Sequence, residues 1–296
     1  MGKVLHRAGD SFIDQRQLRA IVKLMEDPDQ AVQHSIRRQL QQWGVAVIPE
    51  LRRIAHTATP EQRSWIENFI REYQVEALEQ LQRSLVAAIS EHQSLVLEEV
   101  FFQISRFGYP ETDVAFWRQY LDRLAAQCTA QQAGGLEKYQ CLHRLFFQQE
   151  GFRGAWEEEY YHPDSSYAHT VLQTRRGTPL SLSIVYLLLA RRIGIDVVGI
   201  NMPLHFVLYA PELDVFIDPF QQGKFLSYEE CRSFIESNRL SFTPSMLQPA
   251  PPISIVLRML RNLVYGYNRM NRMWESSILQ QCIHTILETI EEHGER

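Results

Sequence analysis

The sequence predicts a mainly helical α+β chain, and three observations carry that reading. Apolar residues recur at helical spacing through residues 14–90 and again through 91–145. An almost wholly apolar helix follows over 180–193, opened by Thr178-Pro179 and stopped by Gly194. Three short β-rich runs come next, at 196–200, 206–210 and 215–217. A small antiparallel sheet packed on the buried helix is the simplest arrangement of these parts.

The amino-terminal elements are helical throughout. Leu24, Val32, Ile36, Leu40, Val45 and Ile48 form the apolar period. Asp27-Pro28-Asp29 supplies a turn and a helix start, Gly44 ends that helix, and Ile48-Pro49 opens a third. This LMEDPDQAV…LQQWGVAVIPEL segment resembles one HEAT repeat. The next stretch, TPEQRSWIENFIREYQVEALEQLQRSLVAAI, keeps the helical period without the motif. A stacked-repeat binding surface and a helical cap on the next domain are both open.

Val96, Val100, Phe101, Ile104 and Phe107 share a stripe that ends at Gly108-Tyr109-Pro110. A further helix carries Phe116, Trp117, Tyr120, Leu121 and Leu124. Such aromatic stripes are core rather than a cofactor box. Residues 142–169 are aromatic-rich, with Gly151, Gly154 and Pro163, and read as an ordered, packed loop. After the β-rich runs, 221–223 turns the chain and 227–237 is helical. TPSMLQPAPP at 243–252 is the best linker, and 253–293 reads as two helices, loosely similar to one tetratricopeptide unit. The expected organisation is a HEAT-like region over 1–90, a core over 91–242, and a linker with helical hairpin tail over 243–296.

Composition narrows the function. The chain has 296 residues, is 45% hydrophobic and carries a formal net charge of −5, which gives no electrostatic case for nucleic acid or an anionic membrane. The apolar run 180–190 is broken by two serines and falls far short of the roughly 20 residues a span needs. Residues 1–15 lack the apolar core of a secretory signal, so a soluble, cytoplasmic protein is expected. Cys128, Cys141, Cys231 and Cys282 include no CxxC pair and read as free thiols in a reducing compartment. No cofactor is called for. Glu157, Glu158 and Glu159 are consecutive and read as solvated, and His162, His169 and His205 have no metal-ligand spacing. Arg258, Arg261, Arg269 and Arg272 share one helix face, read as solvated rather than docked on an acidic partner.

The most specific signal runs from residue 151 to 231. Its GF.G…YY.P..S, RRGTPLSLS, P.HF and IDPF..G..LS.EEC blocks stand in order over about 80 residues, and RMLRNL follows. This segment resembles the bacterial SirB-type transglutaminase-like family. The resemblance implies a papain-like core, whose triad cysteine starts the core helix while histidine and aspartate follow on adjacent strands. That arrangement lets a helix amino terminus lower the thiol pKa, the histidine take its proton, and the carboxylate orient the histidine. His205 matches the histidine and Asp218 the aspartate, 218 − 205 = 13 residues apart. The cysteine position is Pro179, which cannot attack a carbonyl. Ser181, in the first helical turn, is the candidate nucleophile left nearby, and its plainer role is a backbone hydrogen bond. Cys231 lies beyond the sheet and matches no nucleophile position. The chain also departs from the family at Ala155 and Ser165, where asparagines are expected, and at Leu204, where a glycine is expected.

The preferred reading is a non-catalytic binding, scaffold or regulatory protein that keeps a His-Asp pair and takes a protein or peptide partner. The first alternative is a hydrolase or acyl-transferase using Ser181 with His205 and Asp218. The second is a purely structural interaction module.

Overall fold

The computed structural model describes residues 13–129 and 135–294, so the expectation on the amino-terminal segment falls largely outside the described residues. The chain forms two compact units, Met1–Glu79 with Arg106–Thr112, and Gln80–Ser105 with Asp113–Arg296.

The first unit starts with α1 (Gln15–Leu24), capped by the Asp14 carboxylate, which accepts from the Arg16 and Gln17 N–H groups. Asp29 caps α2 (Gln30–Trp43), and Gly44 ends it at φ 58°, where a glycine carries no Cβ penalty. α3 (Ile48–Ala55) follows, and α4 (Pro60–Ser90) begins in this unit and continues past its boundary. Leu18, Ile21, Ile36, Leu40, Ile48 and Phe69 make up much of the core. Ile36, Leu40 and Ile48 are buried as the helical period implies, but Leu24 is exposed. α1 buries the face of Leu18, Ile21 and Met25, and Leu24 lies off it. Val45 is also exposed, because it sits in a 3₁₀ turn, Gly44–Val47, where the α-helical period does not hold. α5 (Leu97–Gly108) ends in this unit. Its last carbonyls are satisfied from the side: Gln74 Nε2 donates to Phe107 O at 3.0 Å, and Arg52 Nη2 donates to Gly108 O at 2.7 Å.

The second unit holds α6 (Val114–Thr129), α7 (Gly135–His143) and a π-turn, Arg144–Gln149. β1 (Arg153–Gly154) leads through α8 (Ala168–Thr174) to β2 (Arg176–Gly177), with which it pairs in parallel. The central helix is α9 (Pro179–Ile193), buried along almost its whole length as its apolar sequence demands. It packs against α6, β3 (Val198–Ile200) and β4 (Val207–Ala210). β5 (Val215–Asp218) and β6 (Lys224–Leu226) complete an antiparallel sheet in the order β3-β4-β5-β6. Three strands are expected from the sequence. The fourth, β6, is three residues long and opens on an exposed lysine, so it carries no alternation to read.

α10 (Tyr228–Ser237) covers one sheet face, where Phe216, Val207 and Ile200 bury with Cys231 and Ile235. Residues 243–252 do not behave as a free linker. Leu247 joins that core, Pro249 bridges to Ile200, and Ala250 N donates to Gly199 O at 2.8 Å. α11 (Pro252–Arg269) and α12 (Met273–Gly294) therefore belong to the second unit, with Ile255, Met259, Leu260 and Leu263 buried.

The expectation of four free thiols is corrected. Cys128 and Cys141 form a disulfide, with Cα atoms 5.7 Å apart, that joins α6 to α7. The pair meets because two consecutive helices bring it together, and its 13-residue spacing matches no motif. Cys231 and Cys282 are free and buried, and burial pushes both thiols up to about 11.

Candidate functional site

The start of α9 is tied down by a closed set of hydroxyl bonds. Thr178 is the N-cap, Pro179 takes the first helical position, and Ser181 completes a capping box. Ser181 Oγ accepts from Thr178 N at 2.9 Å and from Thr178 Oγ1 at 3.1 Å, and it donates to Ser165 O at 2.7 Å. Its hydroxyl is thereby fully engaged inside the protein, and Ser181 is buried. A Cβ at Gly177 would lie 2.5 Å from that oxygen, so the glycine is what lets the serine fold back.

Across the sheet, His205 and Asp218 meet. His205 Nε2 and Asp218 Oδ2 are 2.8 Å apart, with the histidine side chain 12% exposed and the aspartate 0%. Asp218 ends β5, and its other oxygen accepts from Phe220 N at 3.0 Å and Gln221 N at 3.2 Å. One carboxylate thus orients the ring and closes the turn that follows. The carboxylate at Nε2 keeps a proton there, which leaves Nδ1 as the acceptor in the neutral ring. Nδ1 has no hydrogen-bond partner among the described residues.

His205 is delivered by a tight turn. Its N–H donates to Met202 O at 3.2 Å, with Pro203 and Leu204 between. Leu204 has φ 63°, the left-handed region that favours glycine, and is 62% exposed. A bulky apolar residue is therefore held in a costly conformation, in solvent, beside the histidine.

Aromatic rings line the surroundings of the pair. Phe220 lies edge-on to His205 at 6.2 Å, and Phe234 is 5.7 Å away. Tyr160 packs on Phe220 at 5.5 Å. A Cβ at Gly154 would stand 2.6 Å from the Phe220 ring, so that ring lies directly against β1. β1 pairs with β2, and Ala155 N donates to Gly177 O at 2.9 Å just ahead of the helix start. A continuous series of contacts thus leads from His205 through Phe220 to the strand pair that opens α9.

The structure joins His205 to Asp218. Among the described residues it forms no hydrogen bond from Ser181 to either. Glu157, Glu158 and Glu159 are exposed. His162 pairs with Asp164, and His169 contacts Thr170. The arginine face is corrected for Arg258, which turns inward: its Nη1 donates to Asn201 Oδ1 and, at 2.9 Å, to Met202 O. Helical spacing cannot show this, because the acceptors lie in the turn before His205. Phe220, Phe234 and Tyr160 are the wall residues that sequence reasoning missed. The IDPF and YY blocks contain two of them, but nothing local distinguishes a wall ring from a core ring.

A separate apolar cavity of about 500 Å³ is lined by Tyr139, His143, Tyr186, Ile217 and Phe225, among others. His143 Nδ1 is buried there without a hydrogen-bond partner among the described residues, and burial lowers the ring's pKa.

Comparison with known proteins agrees with this architecture. The family model described as the transglutaminase-like superfamily matches residues 115–261. A UPF0162 protein of Xylella fastidiosa is 31% identical over 215 residues, 69% of this chain and 75% of that one. A UPF0162 protein of Pseudomonas aeruginosa is 34% identical over 151 residues, 48% of this chain and 54% of that one. Human F-box only protein 21 is 35% identical over 104 residues, 32% of this chain and 16% of that one. No solved structure matches the chain. With a transglutaminase-like domain over residues 115–261 and a relative matched over three quarters of its length, the chain belongs to the UPF0162 family.

Proposed function

We propose that this chain is a SirB-type member with a vacated triad: a non-catalytic binding or scaffold protein that presents a cleft at His205 and Asp218 to a protein or peptide partner. The observation that carries the reading is the start of α9. A proline holds the first helical position, and the neighbouring hydroxyl, Ser181, is spent on Thr178 and Ser165. A serine nucleophile gives its proton to a base and turns a lone pair to the electrophile, whereas Ser181 Oγ accepts two bonds and donates its proton to a main-chain carbonyl. The His-Asp pair supplies an oriented ring with an open Nδ1, which suits hydrogen bonding to a bound chain. The aromatic walls supply apolar contact. Human F-box only protein 21 is similar over 104 residues that make up 16% of its length. A segment reused in a much longer chain fits a binding role.

The test is labelling by a fluorophosphonate, which reacts with activated serines. Wild-type protein is expected to stay unlabelled at Ser181 over hours. Stoichiometric labelling of Ser181 that is lost in His205→Ala would overturn the reading and establish the hydrolase alternative.

A further inference from the structure

The wall beside His205 holds a cation with no counter-ion among the described residues. Arg258 rises from α11 toward the turn that carries His205. Its guanidinium lies over the Phe206 ring at 5.9 Å and is half-buried. Nη1 is used by Asn201 Oδ1 and Met202 O, both neutral acceptors. Nε and Nη2 have no partner, and no carboxylate lies within ion-pair range among the described residues. Desolvation of a guanidinium is costly when no anion compensates it. Consistent with this, burial lowers the Arg258 pKa.

A second unused donor stands beside it. Tyr160 is partly buried, and its hydroxyl makes no hydrogen bond among the described residues. The segment that carries it packs on α11, with the Tyr161 ring 5.0 Å from that of Tyr265, and burial raises the Tyr160 pKa while the Arg258 charge pulls it back. The Tyr160 ring packs on Phe220, and Phe220 packs on His205. Two donors without a protein partner among the described residues, one of them cationic, therefore sit on the same aromatic wall as the His-Asp pair. Arg258 differs in this from Arg175, which is paired with Glu150, and from Arg192, which is paired with Glu98 and Asp122.

We infer that the cleft takes a carboxylate at Arg258 and Tyr160, joined to an apolar group that lies against Phe220 and Phe234: the chemistry of a peptide ending in a large apolar residue. The inference rests on the binding reading above and adds the ligand class. A guanidinium offers a carboxylate two parallel N–H donors, and the Tyr160 hydroxyl adds a third. The exposed Leu204 extends the apolar surface at the mouth.

The test uses two probes of identical size: the tetrapeptide acetyl-Ala-Ala-Ala-Phe as free acid and as carboxamide, with N-acetylphenylalanine as a third arm. Binding is read by calorimetry and by the imidazole resonances of His205. Wild-type protein is expected to bind the acid at least about tenfold tighter than the amide, because a charge-assisted bond replaces a neutral one. Arg258→Met is expected to abolish that preference. Arg258→Lys is expected to keep part of it, because the charge stays while the planar fork is lost. If N-acetylphenylalanine shows the same preference, the recognised unit is a free acyl amino acid; if only the tetrapeptide does, it is a peptide terminus. Equal binding of acid and amide with a shifted His205 resonance would overturn the carboxylate inference and leave the cleft reading standing. Acid preference that persists in folded Arg258→Met would overturn the assignment of that residue. Absence of binding by any probe to wild-type protein would also overturn the inference, whereas the cleft reading fails separately, through labelled Ser181.

Discussion

Asp218 is the residue on which most of the site's geometry depends, and its removal has a calculable effect. It is fully buried and accepts three hydrogen bonds, from His205 Nε2, Phe220 N and Gln221 N. Bonds to a charged acceptor contribute roughly 1.5–3 kcal/mol each. The three share one carboxylate, so their losses do not add, and Gln221 is exposed enough for water to replace its bond. Asp218→Ala is therefore expected to destabilise the protein by about 3 kcal/mol. Asp218→Asn keeps an oxygen for the two backbone donors and places an amide against the ring, which can shift its proton to Nδ1. Its expected cost is about 1 kcal/mol. Urea unfolding of the two variants measures both values, and the His205 Nε2–H resonance reports the pair directly. An alanine variant within 1 kcal/mol of wild type, or an asparagine variant as damaging as alanine, would refute the claim that one carboxylate holds both ring and turn.

Further expectations follow from two strained or buried groups. Leu204→Gly relieves a left-handed leucine, worth about 1–2 kcal/mol, against the roughly 0.5–1 kcal/mol that glycine loses in chain entropy. Unfolding by urea should find the glycine variant more stable than Leu204→Ala, which keeps the strain; equal stability would show that the turn is unstrained. His143 titrates in the opposite sense to an ion-paired histidine. Burial lowers its folded pKa, so the unfolded chain binds the proton first, and stability falls as pH drops below the ordinary histidine value. His143→Phe keeps the stacking on Phe225 and removes the proton site. The variant should lose less stability than wild type between pH 7.5 and pH 5, and an unchanged difference would contradict the buried neutral ring.

Much of this site is legible in the sequence, and the reasons are local. Thr178-Pro179 and Gly194 bound α9 because capping chemistry acts within four residues. His205 and Asp218 are found because a turn and two strands fix their separation. What is hidden depends on partners distant in sequence. Arg258 faces inward because Asn201 and Met202 lie 57 and 56 residues away, and no helical period encodes that. The disulfide between Cys128 and Cys141 arises from how two helices meet. Residues 243–252 read as a linker from their prolines, yet β3 offered an open edge at Gly199 and Ile200, and the segment took it. The exposure of Leu24 has the same origin, since a helix face is chosen by what packs against it.

The central claim is that the first position of α9 is a vacated nucleophile site served by a still-oriented histidine. Pro179→Cys tests it most directly. Losing a proline at that position removes no backbone hydrogen bond, so the variant should fold. Its thiol would stand at the positive end of α9 near the His205 wall, where a thiol pKa falls. The rate of iodoacetamide alkylation at pH 7, followed by mass spectrometry, should be faster at residue 179 than at Cys231 and Cys282, whose thiols burial pushes up to about 11. Adding His205→Ala should slow it again. A folded Pro179→Cys protein whose new thiol reacts no faster than those two, or reacts equally fast without His205, would contradict the account.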